Sequence, residues 1–131
     1  MFTEGLEQLD EILDIIRGAL IEINFPNKAM SQVLLSAEEV FCNIINHAYL
    51  GEKNLICFSY KVSSDPLSIT IRFLDYAKPF NILTCDDPDL PNTVEEREVG
   101  GLGIYLVKKN MDEIKYDYEK GNILTLTKYA K

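Results

Sequence analysis

Two alternating stretches near the middle of the chain restrict its architecture most. Ile56, Phe58, Tyr60 and Val62 alternate with Cys57, Ser59 and Lys61, and Ile69, Ile71 and Phe73 alternate with Thr70 and Arg72. A period of two gives a strand one apolar face and one mixed face. Ser63 to Pro66 between the two stretches reads as a turn, so the pair is expected to form a β-hairpin. A hairpin commits the chain to antiparallel pairing and leaves one apolar face to be covered. The upstream residues supply the cover. Leu6, Leu9, Leu13, Ile16, Leu20 and Ile23 recur at steps of three and four, the spacing of an amphipathic helix. Phe25-Pro26-Asn27 interrupts it. A second helix is expected from about Ser31 to Tyr49, with Val33, Ala37, Val40, Phe41, Ile44 and Ala48 on its apolar arc and Gly51 closing it.

The stretch from Tyr76 to Gly100 differs from both patterns. It holds three of the five prolines, six acidic residues and few periodic apolar positions. A loop of that length inside a compact domain is usually functional or mobile. Beyond it, a short helix is expected from Leu102 to about Met111, then strands over Ile114–Tyr118 and Asn122–Lys128 around a turn at Lys120-Gly121. The order helix, helix, strand, strand, loop, helix, strand, strand predicts an α+β two-layer sandwich. Its sheet should be mixed but mostly antiparallel, with the helices packed on one face. At 131 residues the chain is expected to form a single domain.

The charge balance narrows the partners. Twenty-one acidic against 13 basic residues give a net charge of -8. Nucleic-acid phosphates and anionic membrane surfaces would both repel such a chain, so neither is expected as a direct partner. No apolar run is long enough to span a bilayer, and Met1 begins no signal-peptide pattern, so a cytoplasmic location is expected. Cys42, Cys57 and Cys85 are odd in number and include no CxxC pair. They read as small apolar residues with free thiols rather than as a zinc site or a disulfide framework.

Three groups of residues could carry chemistry. On the second helix Gln32, Ser36, Glu39, Asn43 and Asn46 follow steps of three and four, and His47 lies at the edge of that stripe. A polar stripe is commonly a solvated face. This one lacks lysine and arginine, and its amides and carboxylate also suit a magnesium-phosphate site. Asn43 offers a neutral oxygen, and Glu39, one turn away, can orient or deprotonate a hydroxyl nucleophile. Asp75 ends the second strand of the hairpin. It reads equally as a turn former or as an acceptor for an exocyclic amine such as that of adenine. Gly100-Gly101-Leu102-Gly103 opens the third helix, where glycines allow close backbone approach and a helix N-terminus attracts anions. His47, the sole histidine, reads more readily as a structural hydrogen-bonding group, and Lys108 and Lys109 as a solvated helix end.

Taken in order, four segments resemble the GHKL-type ATPases, and among them the small anti-sigma-factor serine/threonine kinases. The segments are Glu39–Tyr49, Asp75–Asn81, Gly100–Val107 and Asn122–Leu126. The resemblance spans roughly residues 6 to 128 and implies a Bergerat-type ATP-binding fold that uses ATP and magnesium. It implies that Glu39 is the catalytic carboxylate, Asn43 the magnesium ligand and Asp75 the partner of the adenine amine. It further implies that Asn46, His47, Ala77, Phe80, Gly100, Gly101, Leu102, Gly103, Ile104 and Thr125 surround the nucleotide, and that 82–99 is the ATP lid. In such kinases ATP phosphorylates a serine on an antagonist protein, and a sigma factor is the alternate partner. Ala77 stands where that family usually has glycine. Met1–Thr3 is too short for the full strand with which family members begin and form homodimers. Three readings therefore stay open: a partner-switching kinase, a catalytically inactive ATP-binding interaction module, and a regulatory domain that has lost nucleotide.

Overall fold

The computed structural model describes residues 2–3, 8–45, 55–79, 81 and 101–130. The expected hairpin forms from β2 (Ile56–Ser64) and β3 (Leu67–Asp75), joined through Asp65 and Pro66. A two-residue strand, β1 (Phe2–Thr3), pairs with the start of β2, so the chain does open with a strand, though a minimal one. The helices are α1 (Leu9–Glu22), α2 (Asn27–Asn43) and α3 (Gly101–Asn110), and the last hairpin consists of β4 (Glu113–Tyr118) and β5 (Asn122–Tyr129). The five strands lie in the order β1-β2-β3-β5-β4. Every pairing among them is antiparallel, so the expected parallel admixture is absent from the described sheet.

Register decides which side chains meet the helices. Ile69, Ile71, Phe73 and Asp75 of β3 point to one face, and their partners on β5 are Lys128, Leu126, Leu124 and Asn122. Ile69, Ile71, Phe73, Leu124 and Leu126 are buried there with Ile12, Ile16 and Leu20 of α1 and Val33, Val40 and Phe41 of α2. Phe58 and Phe73 pack with ring centroids 5.8 Å apart. Each large apolar side chain taken from water in this way contributes about 1.5–3 kcal/mol. Tyr60 and Val62 share the inner parity of Ile56 and Phe58 yet remain 42% and 37% exposed. The helical layer covers only the Ile56–Phe58 end of this strand, which period-two reasoning could not anticipate.

Helix boundaries follow local chemistry. Between α1 and α2 Asn24 takes a left-handed φ of 57°, and Phe25 drops into the core. Pro26 sits just ahead of α2 with φ already near the helical value. The helix therefore begins at Asn27 rather than Ser31, and Ala29 extends the buried arc one turn upstream. At its other end α2 passes into a π-helical turn at Ile44–Ile45, a feature that often accompanies functional sites. The remainder of the expected helix, to Tyr49, lies outside the described residues. At the C-terminal end of α3, Lys128 Nζ donates to the Asn110 carbonyl at 2.7 Å, which satisfies a terminal acceptor and ties α3 to β5.

This packing predicts unequal costs for two aromatic truncations. Phe41→Ala should lower the unfolding free energy by about 3–5 kcal/mol, whereas Tyr60→Ala should cost about 1 kcal/mol or less. Urea denaturation of both variants measures this, and equal losses would contradict the assignment of Tyr60 to an uncovered strand end.

Candidate functional site

Asp75 ends the central strand of the sheet, on the face that the helices cover, and is 4% exposed. Its Oδ1 accepts two hydrogen bonds, from the Ala77 N–H and from Asn122 Nδ2, both at 3.0 Å. Asn122 Nδ2 also lies 3.2 Å from the Ala77 carbonyl oxygen and 3.0 Å from that of Lys78. Tyr116 of β4 donates its hydroxyl to Asn122 Oδ1 at 2.5 Å. Asp75 Oδ2 accepts no hydrogen bond among the described residues. Burial pushes the Asp75 pKa up, and the two hydrogen bonds pull against that rise. Gly121 makes the close pairing possible, because a Cβ there would lie 2.6 Å from the Asp75 carbonyl oxygen. Ala77 is not among the described residues with positive φ, so its methyl group imposes no backbone strain.

The second cluster lies where α2 meets α3. Ser36 is buried, with no hydrogen-bond partner for its hydroxyl among the described residues, and Gln32, Glu39 and Asn43 are half-buried. The stripe is therefore not a freely solvated face. A Cβ on Gly103 would overlap Glu39 Oε2 and lie 3.0 Å from Glu39 Cδ. Gly103 thus serves close approach inside the first turn of α3, and it does not make a left-handed turn. Burial, and secondarily the neighbouring Glu38, raise the Glu39 pKa. Asn43 follows one turn along α2. The two clusters share the helix-facing side of the sheet.

Several expected residues fall elsewhere. Thr125 pairs with Arg72 and so projects from the opposite face to Asp75. There it lines an open groove of about 550 Å³ with Arg72, Lys115, Asp117, Tyr118, Glu119 and Ile123. The position opposite Asp75 on this strand belongs instead to Asn122, its register partner. Its inward placement was readable in principle, since Asn122 has the same parity as Leu124 and Leu126 and follows Gly121. Ile104 is 4% exposed and belongs to the core. Gly101 begins α3, while the Leu102 side chain lies outside the described residues. Asn46, His47, Phe80, Gly100 and the segment 82–99 lie outside them as well. Among the described residues Cys42 and Cys57 are free thiols, and Cys85 lies outside them. Among the described residues no helix is long and apolar enough to cross a membrane.

Two outcomes follow from this geometry. The folded state holds the Asp75 proton more tightly than the unfolded chain does. Stability from protonation is therefore present below the unfolded carboxyl pKa and is lost as pH rises through the folded one. Asp75→Asn, which keeps an acceptor at Oδ1, should resist urea better than the parent at pH 7, and the gap should close below about pH 4. A gap that ignores pH would contradict the buried charge. Gly103→Ala should stabilise by about 0.5–1 kcal/mol in a Glu39→Ala background, through helix propensity, and should not stabilise the parent. Equal effects in both backgrounds would show that the carboxylate does not rest on Gly103.

Comparison with known proteins bears on the family and the fold. The sequence pattern of the histidine kinase-like ATPase domain matches residues 2–128. The serine-protein kinase RsbW of Listeria monocytogenes (serovar 1/2a) is 27% identical over 119 residues, covering 87% of this chain and 74% of that protein. The serine-protein kinase RsbW of Bacillus mycoides is 28% identical over 129 residues, covering 92% of this chain and 79% of that protein. A chain from the crystal structure of the SiaB-SiaC complex of Pseudomonas aeruginosa superposes with a TM-score of 0.68 at 15% identity, over 98% of this chain and 88% of that one. The chain belongs to the histidine kinase-like ATPase domain family.

Proposed function

We propose that this protein is an ATP-dependent serine/threonine protein kinase that acts as a regulatory partner switch. The observation that carries the reading is the asymmetry of Asp75. One carboxylate oxygen is tied to Asn122 and Ala77, and the other has no partner among the described residues. A half-satisfied buried carboxylate is suited to accept from the exocyclic amine of adenine. The first turn of α3, with its unpaired amide N–H groups, suits the phosphates. Glu39 lies at that turn, and its raised pKa suits a base that takes the proton from a serine hydroxyl. Asn43 Oδ1 is the neutral oxygen in the set and fits an ion shared chiefly with phosphate and water. Magnesium bound with ATP would supply neutralisation of phosphate charge.

The relatives named serine-protein kinase support phosphoryl transfer to a serine, and in this reading that serine belongs to an antagonist protein. A sigma factor would then be the alternate partner, a homodimer the assembly and the cytoplasm the location. Phosphoryl transfer depends mainly on positioning and charge stabilisation. Removing Glu39 should therefore affect transfer far more than nucleotide affinity.

Labelled ATP offered with candidate antagonist proteins tests this. Label should appear on a serine with the parent protein. With Glu39→Ala it should fall at least a hundredfold while ATP affinity changes less than about threefold. Equal transfer by the two proteins would remove Glu39 from the chemistry.

A further inference from the structure

We propose that Tyr116 and Asn122 form a positioning pair that holds Asp75 as a one-sided acceptor, so that selectivity for a purine with an exocyclic amine is set from the β4–β5 hairpin. The inference rests on Asp75 meeting the base, as argued above, and extends the site to two residues on strands that sequence reasoning left without a role. An asparagine side chain has a donor end and an acceptor end. Three acceptors converge on its Nδ2: Asp75 Oδ1, the Ala77 carbonyl and the Lys78 carbonyl. Reversing the amide would set an oxygen against all three. The Tyr116 hydroxyl donates to the opposite end, Oδ1. The three acceptors at the Nδ2 end therefore select the orientation, and Tyr116 holds the other end of the amide.

The consequence falls on Asp75. With Oδ1 engaged by Asn122 and Ala77, its carboxylate plane is fixed and Oδ2 is presented in one direction. A guanine or hypoxanthine oxygen there would face another oxygen, whereas an adenine amine would donate. An aspartate at position 122 would bring a second carboxylate against Oδ1 and both carbonyls. A serine or threonine could not span from Tyr116 to the three acceptors. The described titratable groups beside this cluster include Tyr116 and Tyr118 of β4, the latter being the register partner of Asn122, with Tyr76 and the exposed Lys78 on the chain that follows Asp75. Burial raises the Asp75 pKa, and the hydrogen bonds from Asn122 and Ala77 act against that rise.

The test uses the full chain and the variants Tyr116→Phe and Asn122→Ala, with two readouts. The first is the carboxyl-carbon NMR titration of Asp75 without nucleotide. Both variants should titrate at higher pH than the parent, because a hydrogen bond that favours the ionised form is lost or loosened. An unchanged titration in both would overturn the pair. The second is affinity for ATP against purine riboside triphosphate, which lacks the amine. Asn122→Ala should weaken ATP about tenfold and leave the amine-free nucleotide unchanged. Equal losses would make Asn122 merely structural and overturn the proposal. Tyr116→Phe keeps the ring in the core and should show a smaller effect of the same pattern. If the parent binds neither nucleotide, the ATP reading fails, and the carboxyl titration still decides for or against the positioning pair.

Discussion

A carboxylate buried at the end of the central strand constrains much of what surrounds it. Asp75 lies on the helix-facing side, in line with Ile71 and Phe73, where ionisation is opposed by loss of water. The surroundings offset that cost through specific donors. The chain after β3 turns so that the Ala77 N–H reaches Oδ1, and β5 enters with Asn122 opposite Asp75. Gly121 precedes it because no side chain fits against the Asp75 carbonyl. A register slip of one residue between β3 and β5 would send Asn122 to the outer face and leave the carboxylate without its side-chain donor. Apolar packing of Leu124 and Leu126 and polar pairing of Asn122 thus specify the same register.

The approach of α2 and α3 is the second constraint, and it depends on an absence. Gly103 has no Cβ, and the Glu39 carboxylate occupies the space that one would fill. A glycine in a helix interior costs about 1 kcal/mol relative to alanine, so local stability is given up for this contact. The same holds for Asp75, whose charge is unfavourable to the empty fold at neutral pH. Residues that weaken the isolated domain are the ones the proposed chemistry uses, an arrangement common where a site must hold a charged ligand.

Much of this was legible in the chain. The hairpin over Ile56–Phe73, both N-terminal helices and the final hairpin follow directly from apolar spacing, and Glu39, Asn43 and Asp75 stand out as polar residues at regular helix or strand positions. Thr125 and Asn122 show where such reading stopped. Both are polar residues of one strand; strand parity separates Asn122, which alternates in step with Leu124 and Leu126, from Thr125 on the outer groove, but only the register with β3 sets Asn122 opposite Asp75. Ser36 is similar: helical spacing groups it with Glu39, but burial against a neighbouring element depends on packing that no local pattern encodes. The early start of α2 at Asn27 reflects Pro26, whose fixed φ favours helix entry.

The proposed chemistry requires nucleotide to bind between Asp75 and the first turn of α3. Calorimetric titration of the parent protein with ATP, with and without magnesium, tests this most directly. Saturable binding to one site per chain, tightening when magnesium is added, is the expected result. Heats indistinguishable from dilution in both titrations would contradict it, and Asp75 would then be a buried structural carboxylate in a domain that recognises protein alone.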